Sequence, residues 1–399
     1  MQLAWVAVAA VVAPLVALRL RRLAIPGVVL ELVFGMLLGP SVLDWVDPIG
    51  LIADFSNFGL ALLMFLAGFE IDLQRMRGRP LALAATTWCG SLVIGLAAAI
   101  VLFLGGHRHG ELIIGLTLVT TALGTLLPIV RDGGVLDTPL GPHILAVGTI
   151  AEFGPIVLVA LLLGGHHPVG TALLLLGFGV VAMGFAVAAS RPWGRAFAGW
   201  LRAGLHASSQ LPVRFSMLVM IALVLLTTEL GLDVLLGAFA AGVIVRTAIG
   251  GAPDSRDARV FSGKLEAIGF GVFVPVFFVI SGARLDLASF EKHPAAIAAI
   301  PLVVVLLLVA RGVPTFFGYR GVLPTRQRLA LALMASTGLP LIVVITTIGV
   351  SNGDLSTQAA AAIVTGGIMS VLIFPLVAMQ LLTGRLPNPD SIVDEAESL

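Results

Sequence analysis

Thr120–Pro128 reads TTALGTLLP, and Ser336–Pro340 reads STGLP. Each stretch sets threonine, glycine and proline near the middle of an apolar run long enough to cross a bilayer. Proline removes a backbone donor and glycine weakens a helix. Backbone groups freed in this way at membrane depth are tolerated only inside protein or beside water. Two interrupted helices at corresponding places in the two halves of a chain point to a transport site in an inverted-repeat fold. Gly124, Pro128, Gly338 and Pro340 are therefore the expected helix-break positions.

The rest of the chain agrees with a membrane setting. Of 399 residues, 58% are hydrophobic and 11% charged, with a mean hydropathy of +1.08. A soluble domain carries about 25% charged residues, so this chain could not cover a soluble surface. A net charge of +1 offers no basic face for nucleic acid, and a single cysteine, Cys89, excludes an internal disulfide and a cysteine-based zinc site. Lysine occurs twice and arginine 21 times, a balance suggesting a high-GC bacterial source and hence the inner (plasma) membrane. A helix needs about 20 apolar residues to span the hydrocarbon core. Thirteen runs qualify: 2–18, 25–43, 51–68, 79–104, 112–131, 143–163, 169–189, 213–230, 232–249, 265–282, 294–317, 326–349 and 357–383. The first is not a signal peptide, because Arg19, Arg21 and Arg22 follow its apolar stretch.

Lys and Arg set the orientation. With the N-terminus outside, nineteen of them fall in inner loops, three (Arg108, Arg284 and Lys292) in outer loops, and Arg311 lies within a span. This asymmetry supports thirteen spans, N-terminus out and C-terminus in. They divide as a first six-helix repeat over 1–163, a linker helix and inner loop over 164–205, a second, inverted six-helix repeat over 206–385 and a short cytoplasmic tail over 386–399. The repeat leaves a trace: LAGFEIDL (66–73) ends the third span of one half and ISGARLDL (280–287) the third span of the other, aligning Gly68 with Gly282. The expected fold is an all-α polytopic membrane protein.

Ionisable groups at bilayer depth are costly and need partners or a job. Three stand out: Glu31, Glu152 and Arg311. Glu152 is roughly 13 Å from the inner end of its span and Arg311 roughly 9 Å, at 1.5 Å per residue. An arginine side chain bridges that difference, so an ion pair or alternating partners are expected. A purely structural salt bridge would show the same signs. Thr149, three residues before Glu152, shares its helix face. Pro155 deprives the Ala151 carbonyl of its helical donor. The carboxylate, that carbonyl and the hydroxyls of Thr149, Thr120, Thr121 and Thr125 make an oxygen set suited to a hard monovalent cation, with Glu152 the metal-binding group. A single carboxylate holds a proton or a cation, never both well. Arg311 stays charged. Glu31, six residues from the inner end of its span, reads as a snorkelling or subunit-interface group.

The stretches PGVVLELVFGMLLGPSVL (26–43), GLALLMFLAGFEIDL (59–73), TTALGTLLPIVRDGGVLDTPLG (120–141) and FVPVFFVISGARLDL (273–287) resemble the cation:proton antiporter superfamily. They are most similar to its second branch, the Kef-like and NapA-like exchangers, over nearly the whole chain. The resemblance implies a homodimer of thirteen-helix subunits in lipid. Each subunit would hold a dimerisation domain and a mobile six-helix core with two crossed, discontinuous helices, working by elevator-like alternating access. No cofactor is implied beyond the transported Na⁺ or K⁺ and H⁺. Glu152 falls at the second acid of the family's Asn-Asp or Asp-Asp pair, and Arg311 at its basic position. That position is Lys in electrogenic members and Arg in many electroneutral ones. The chain departs from the pattern with Ala151 at the first acid's place and Glu at the second. One titrating acid beside a fixed Arg implies electroneutral exchange. The cytosolic nucleotide-binding domain of the Kef type has no counterpart in this chain.

Two other readings keep the membrane fold. Small residues at Gly148, Ala151 and Gly154 would make room for an organic ion or a cation–ionophore complex. A channel-like or sensing protein would also use broken helices, although Arg311 would repel permeating cations. Enzyme readings find neither an HExxH nor a GxSxG motif in the chain.

Overall fold

The computed structural model describes residues 1–19, 27–70, 78–102, 108–136, 138–163, 204–205, 209–230, 234–249, 256–285 and 294–383, with positions 177, 179, 180, 184, 191 and 199. The described structure is helical. The first expected repeat contributes α1 (Gln2–Arg19), α2 (Gly27–Leu38), α3 (Leu51–Glu70), α4 (Arg79–Leu102), α5 (Arg108–Leu118), α6 (Leu123–Asp132) and α7 (Gly141–Leu163). The second contributes α8 (Leu211–Glu229), α9 (Val234–Ile249), α10 (Arg256–Ile268), α11 (Val274–Ala283), α12 (Pro294–Leu307), α13 (Val313–Gly318), α14 (Thr325–Ala335), α15 (Pro340–Ser351) and α16 (Thr357–Thr383). Among the described residues, nine helical stretches are long and apolar enough to cross a membrane, and three shorter apolar ones accompany them. The expected span at 169–189 lies outside the described residues apart from isolated positions. The tenth span begins earlier than expected, at Arg256, because the charged turns of α10 continue its helix.

Two spans are widened by π turns. Gly269–Phe273 joins α10 to α11, and Leu308–Gly312 joins α12 to α13. Each turn is followed by Val-Pro, at Val274-Pro275 and Val313-Pro314. A proline ring clashes with the carbonyl four residues back, and a locally wider turn relieves the clash. Such π turns often mark functional sites; the second one carries Arg311.

The two broken spans are confirmed, with one break displaced. The first lies at 119–122, between α5 and α6, and the second at 336–339, between α14 and α15. Gly338 falls in its break, and Pro340 opens the half-helix behind it, where a missing N–H costs nothing. Gly124 and Pro128 do not mark the first break: both lie inside α6. Threonine moves the break. Hydroxyls compete for the local backbone, as the Thr120 Oγ1 does by donating to the Thr117 carbonyl at 2.9 Å. The N–H groups of Thr121 and Ala122 then leave the helix for other segments.

The chain divides into two compact units. One comprises Met1–Pro48, Leu73–Pro155 and Val279–Leu399; the other comprises Ile49–Asp72 and Ile156–Phe278. Each draws on both expected repeats. In the first unit, Ile113–Leu123 and Ala330–Thr346 are buried without interruption. The two broken helices are therefore its core. In the second unit, α3 is buried from Ala61 to Phe69 and packs on α9.

Glycines reveal the internal symmetry. In the second unit, a Cβ on Gly68 (α3) would collide with the Phe239 carbonyl (α9), and one on Gly242 (α9) with the Phe65 carbonyl (α3). In the first unit, a Cβ on Gly282 (α11) would collide with the Leu32 carbonyl (α2), and one on Gly35 (α2) with the Val279 carbonyl (α11). The register is the same in both crossings. An offset of 214 residues takes Gly68 to Gly282 and Phe65 to Val279; an offset of 207 takes Leu32 to Phe239 and Gly35 to Gly242. The third span of each half thus crosses the second span of the other half through the same four positions. This is the inverted repeat that the 66–73 and 280–287 stretches announce.

Candidate functional site

The site forms where the two breaks cross. The Ala122 N–H donates to the Thr337 carbonyl at 2.7 Å, tying one break to the other. Gly338 permits the approach, since a Cβ there would lie 2.9 Å from the Thr120 Oγ1. The second break is held from behind by α16: the Gly338 N–H donates to the Ser370 Oγ at 3.2 Å, and the Ser370 hydroxyl donates to the Gly367 carbonyl at 2.7 Å.

Helix α7 brings Glu152 to the first break. The carbonyl of Ala151, stripped of its helical donor by Pro155, is not left open as the sequence suggests. It accepts the Thr121 N–H at 3.2 Å. One broken helix supplies the donor that the proline removed from another. Glu152 follows Ala151 in the chain and is buried, as is Thr149. The glycines on either side of Glu152 let neighbouring side chains come close. A Cβ on Gly148 would meet the Leu123 side chain, and one on Gly154 the ring of Trp88.

Arg311 is fully buried in its π turn. Its hydrogen bonds go to neutral groups. Nε and Nη2 donate to the Thr121 Oγ1 at 3.1 and 2.9 Å, Nη1 donates to the Ser91 Oγ at 3.1 Å, and Nε also reaches the Ala335 carbonyl at 3.3 Å. Ala335 ends α14, so the guanidinium sits at the negative end of a helix dipole. Thr121 is more than a cation ligand. A hydroxyl has one proton and two lone pairs. The Thr121 hydroxyl donates to the Ala335 carbonyl and accepts twice from Arg311, so it is saturated. Thr120, with its proton spent on the Thr117 carbonyl, keeps acceptor capacity and is wholly buried. Thr125 is half-buried and donates to the Ala122 carbonyl at 3.1 Å.

Sequence reasoning missed Trp88, Ser91 and Ser370. The Trp88 Nε1 donates to the Val119 carbonyl at 3.2 Å, closing the end of α5. The Ser91 hydroxyl donates to the Thr87 carbonyl at 3.0 Å and offers its oxygen to Arg311. Their spacing of three on one face of α4 was a readable signal. Glu31 departs from one of its two expected roles. It is buried, and its Oε2 has no hydrogen-bond partner among the described residues, so it does not snorkel.

Comparison with known proteins places the chain among related folds and sequences. A family model described as "Sodium/hydrogen exchanger, transmembrane" matches residues 7–383. The Na(+)/H(+) antiporter of Enterococcus hirae is 26% identical over 90% of this chain and 92% of its own length. The Na(+)/H(+)-K(+) antiporter GerN of Bacillus cereus is 27% identical over 89% of each. YjbQ of Bacillus subtilis is longer: at 26% identity over 89% of this chain, the match spans 59% of its length. The solved sodium proton antiporter MjNhaP1 of Methanocaldococcus jannaschii aligns with a TM-score of 0.71 at 19% identity, covering 96% of this chain and 98% of that one. These matches bear on the family and the fold, and not on the Kef-like and NapA-like branch.

Proposed function

The chain belongs to the transmembrane sodium/hydrogen exchanger family, and on that premise we propose that it exchanges a monovalent cation, Na⁺ or K⁺, for protons at Glu152. The observation that carries this reading is the bonding of Arg311. Its positive charge is spread over two hydroxyls and a helix-end carbonyl, so it fixes the crossing of the breaks to which α7 brings the buried Glu152. Glu152 is then the group that binds proton or cation in turn. The Thr120 hydroxyl oxygen, the Thr149 hydroxyl and the second lone pair of the Ala151 carbonyl are candidate co-ligands; Thr121 instead anchors Arg311.

One titrating carboxylate beside a permanently charged Arg311 supports electroneutral, one-for-one exchange. Elevator-like alternating access, a homodimer, the Kef-like and NapA-like branch, an inner-membrane location and an outward N-terminus complete the proposal. They rest on the sequence stretches and on the distribution of Lys and Arg. Leu123 and Trp88 lie over Gly148 and Gly154, so the organic-cargo reading would require those side chains to move aside.

The test is proton movement in liposomes carrying the purified protein and a pH gradient, with Na⁺, K⁺ or Li⁺ added in turn. Cation-triggered proton flux in the wild type, lost in Glu152→Gln, is the expected result. A folded wild type inert in every alkali cation overturns the reading.

A further inference from the structure

The helix that carries Arg311 also carries a buried polar stripe that the exchange site does not use. Arg311, Thr315 and Tyr319 stand four residues apart, on one face, and all three are fully buried. A face packed inside protein is ordinarily apolar. The Thr315 hydroxyl donates to the Arg311 carbonyl at 2.8 Å, which leaves its oxygen as an acceptor along the stripe. The Tyr319 Oη is buried without a hydrogen-bond partner among the described residues. Its ring meets His143 of α7 edge-on, with centroids 5.2 Å apart and planes at 89°. His143 is partly exposed, yet its Nδ1 is buried and also without a partner. Two adjoining rings thus hold two unanswered polar atoms, at the end of a polar stripe that leads about 12 Å, or eight residues at 1.5 Å each, to Arg311.

Buried polar groups are normally satisfied, and those that are not call for an explanation. We propose that His143, Tyr319 and Thr315 form the conduit by which protons pass between one face of the membrane and the exchange site. Resting on the exchange reading, it adds the route to that activity. Imidazole takes up a proton on one nitrogen and releases one from the other, so His143 shuttles without net change. The Tyr319 hydroxyl passes its proton on and accepts another, and water completes the hydrogen bonds at Nδ1, Oη and the Thr315 Oγ1. Among the described residues, the charges that act on His143 and Tyr319 are cationic. Arg311 acts on Tyr319 and Arg79 of α4 acts on His143, while Arg328 of α14 is turned to Phe316, bonding its carbonyl at 3.5 Å.

The experiment compares wild type, Tyr319→Phe and His143→Gln in liposomes, measuring cation-driven proton flux against cation concentration, pH and D₂O content. Tyr319→Phe keeps the ring on His143 and deletes only the hydroxyl. The expected result is a fall in maximal rate of about 10-fold or more in each variant, an unchanged cation KM, an altered pH profile and a larger D₂O effect. The double variant should be no slower than the slower single one. Full-rate exchange in Tyr319→Phe overturns the conduit, and so does a raised cation KM at unchanged maximal rate. If His143→Gln does not elute as a folded protein, Tyr319→Phe decides alone. An inert wild type fails the exchange reading itself, before any variant is compared.

Discussion

The Thr121 N–H donates to the Ala151 carbonyl at 3.2 Å, joining a helix that lost a donor to a segment that lost its helix. Each defect answers the other. Neither backbone group is left bare at membrane depth, where an unmet one costs several kcal/mol. The bond also places Glu152, the next residue along α7, at the first break.

Glu152→Gln should keep the fold and lose the activity. The amide preserves volume, and the backbone bonds that join the breaks, from the Thr121 N–H to Ala151 and from the Ala122 N–H to Thr337, are untouched by the substitution. Coupled proton flux should fall by about 100-fold or more, with a thermal unfolding midpoint close to wild type. Flux in liposomes and a thermal scan in detergent measure the two.

Thr121→Ala should destabilise more than a surface threonine would. It removes the acceptor for the Arg311 Nε and Nη2 and the donor to the Ala335 carbonyl. Unmet buried groups of this kind cost about 1–3 kcal/mol each, more when charged. Thr121→Ser, which keeps the hydroxyl, should recover most of the loss in a denaturation series.

Arg311→Lys is not conservative here. Lysine cannot reproduce the fork that reaches Thr121 and Ser91 together, so transport should slow. An ammonium in a buried site also releases its proton far more readily than a guanidinium. Exchange in the variant should therefore acquire sensitivity to an imposed membrane potential, while wild-type exchange, on the proposed one-for-one stoichiometry, should show none. Flux recorded under potassium and valinomycin clamps reads the difference.

The apparent cation KM should rise as pH falls. In the proposed exchange, protons and cations compete for the carboxylate of Glu152, so each pH unit in the proton-bound range should raise the KM by up to about 10-fold, the slope of simple one-proton competition. The maximal rate at saturating cation should change far less. A rate series over several pH values and cation concentrations separates the two parameters.

Gly68→Ala and Gly282→Ala should each cost about 1–3 kcal/mol, the range for overpacking, because each methyl meets a backbone carbonyl that cannot rotate away. The two costs should be similar, since the two crossings share one register. Gly263→Ala is the control. It lies in an exposed part of α10 with nothing within 4 Å of an added Cβ, and it should stabilise by about 0.5–1 kcal/mol. Thermal scans of the three purified variants suffice.

Apolar runs made most of the helices legible, because span length is a property of local composition. Both broken spans were legible too, but only the second break was placed correctly. Pro340 acts locally, by opening a half-helix. The first break depends on N–H groups of Thr121 and Ala122 that leave for Ala151 and Thr337, partners roughly 30 and 200 residues away in the chain, and no local pattern encodes that choice. Glu152 and Arg311 stood out because charge at bilayer depth is rare. Their expected pairing was inferred from depth alone, and depth says nothing about which hydroxyls a guanidinium meets first. Trp88 and Ser91 escaped notice because polar residues of their kind are common in membrane helices. Gly68 and Gly282 aligned in sequence, but the carbonyls opposite them did not appear in the alignment.

The four glycines at the crossings also bind the chain's past to its future. If the halves arose by duplication of one ancestral segment, each copy still fits only the helix its sibling provides. A side chain gained at Gly68 has no remedy within its own copy; the remedy must come from the backbone at Phe239, in the other. Descendants of such a gene therefore inherit their two copies as an interlocked pair. On this packing, divergence should run freely on lipid-facing positions and stall where one copy's glycine is the mould for the other's main chain.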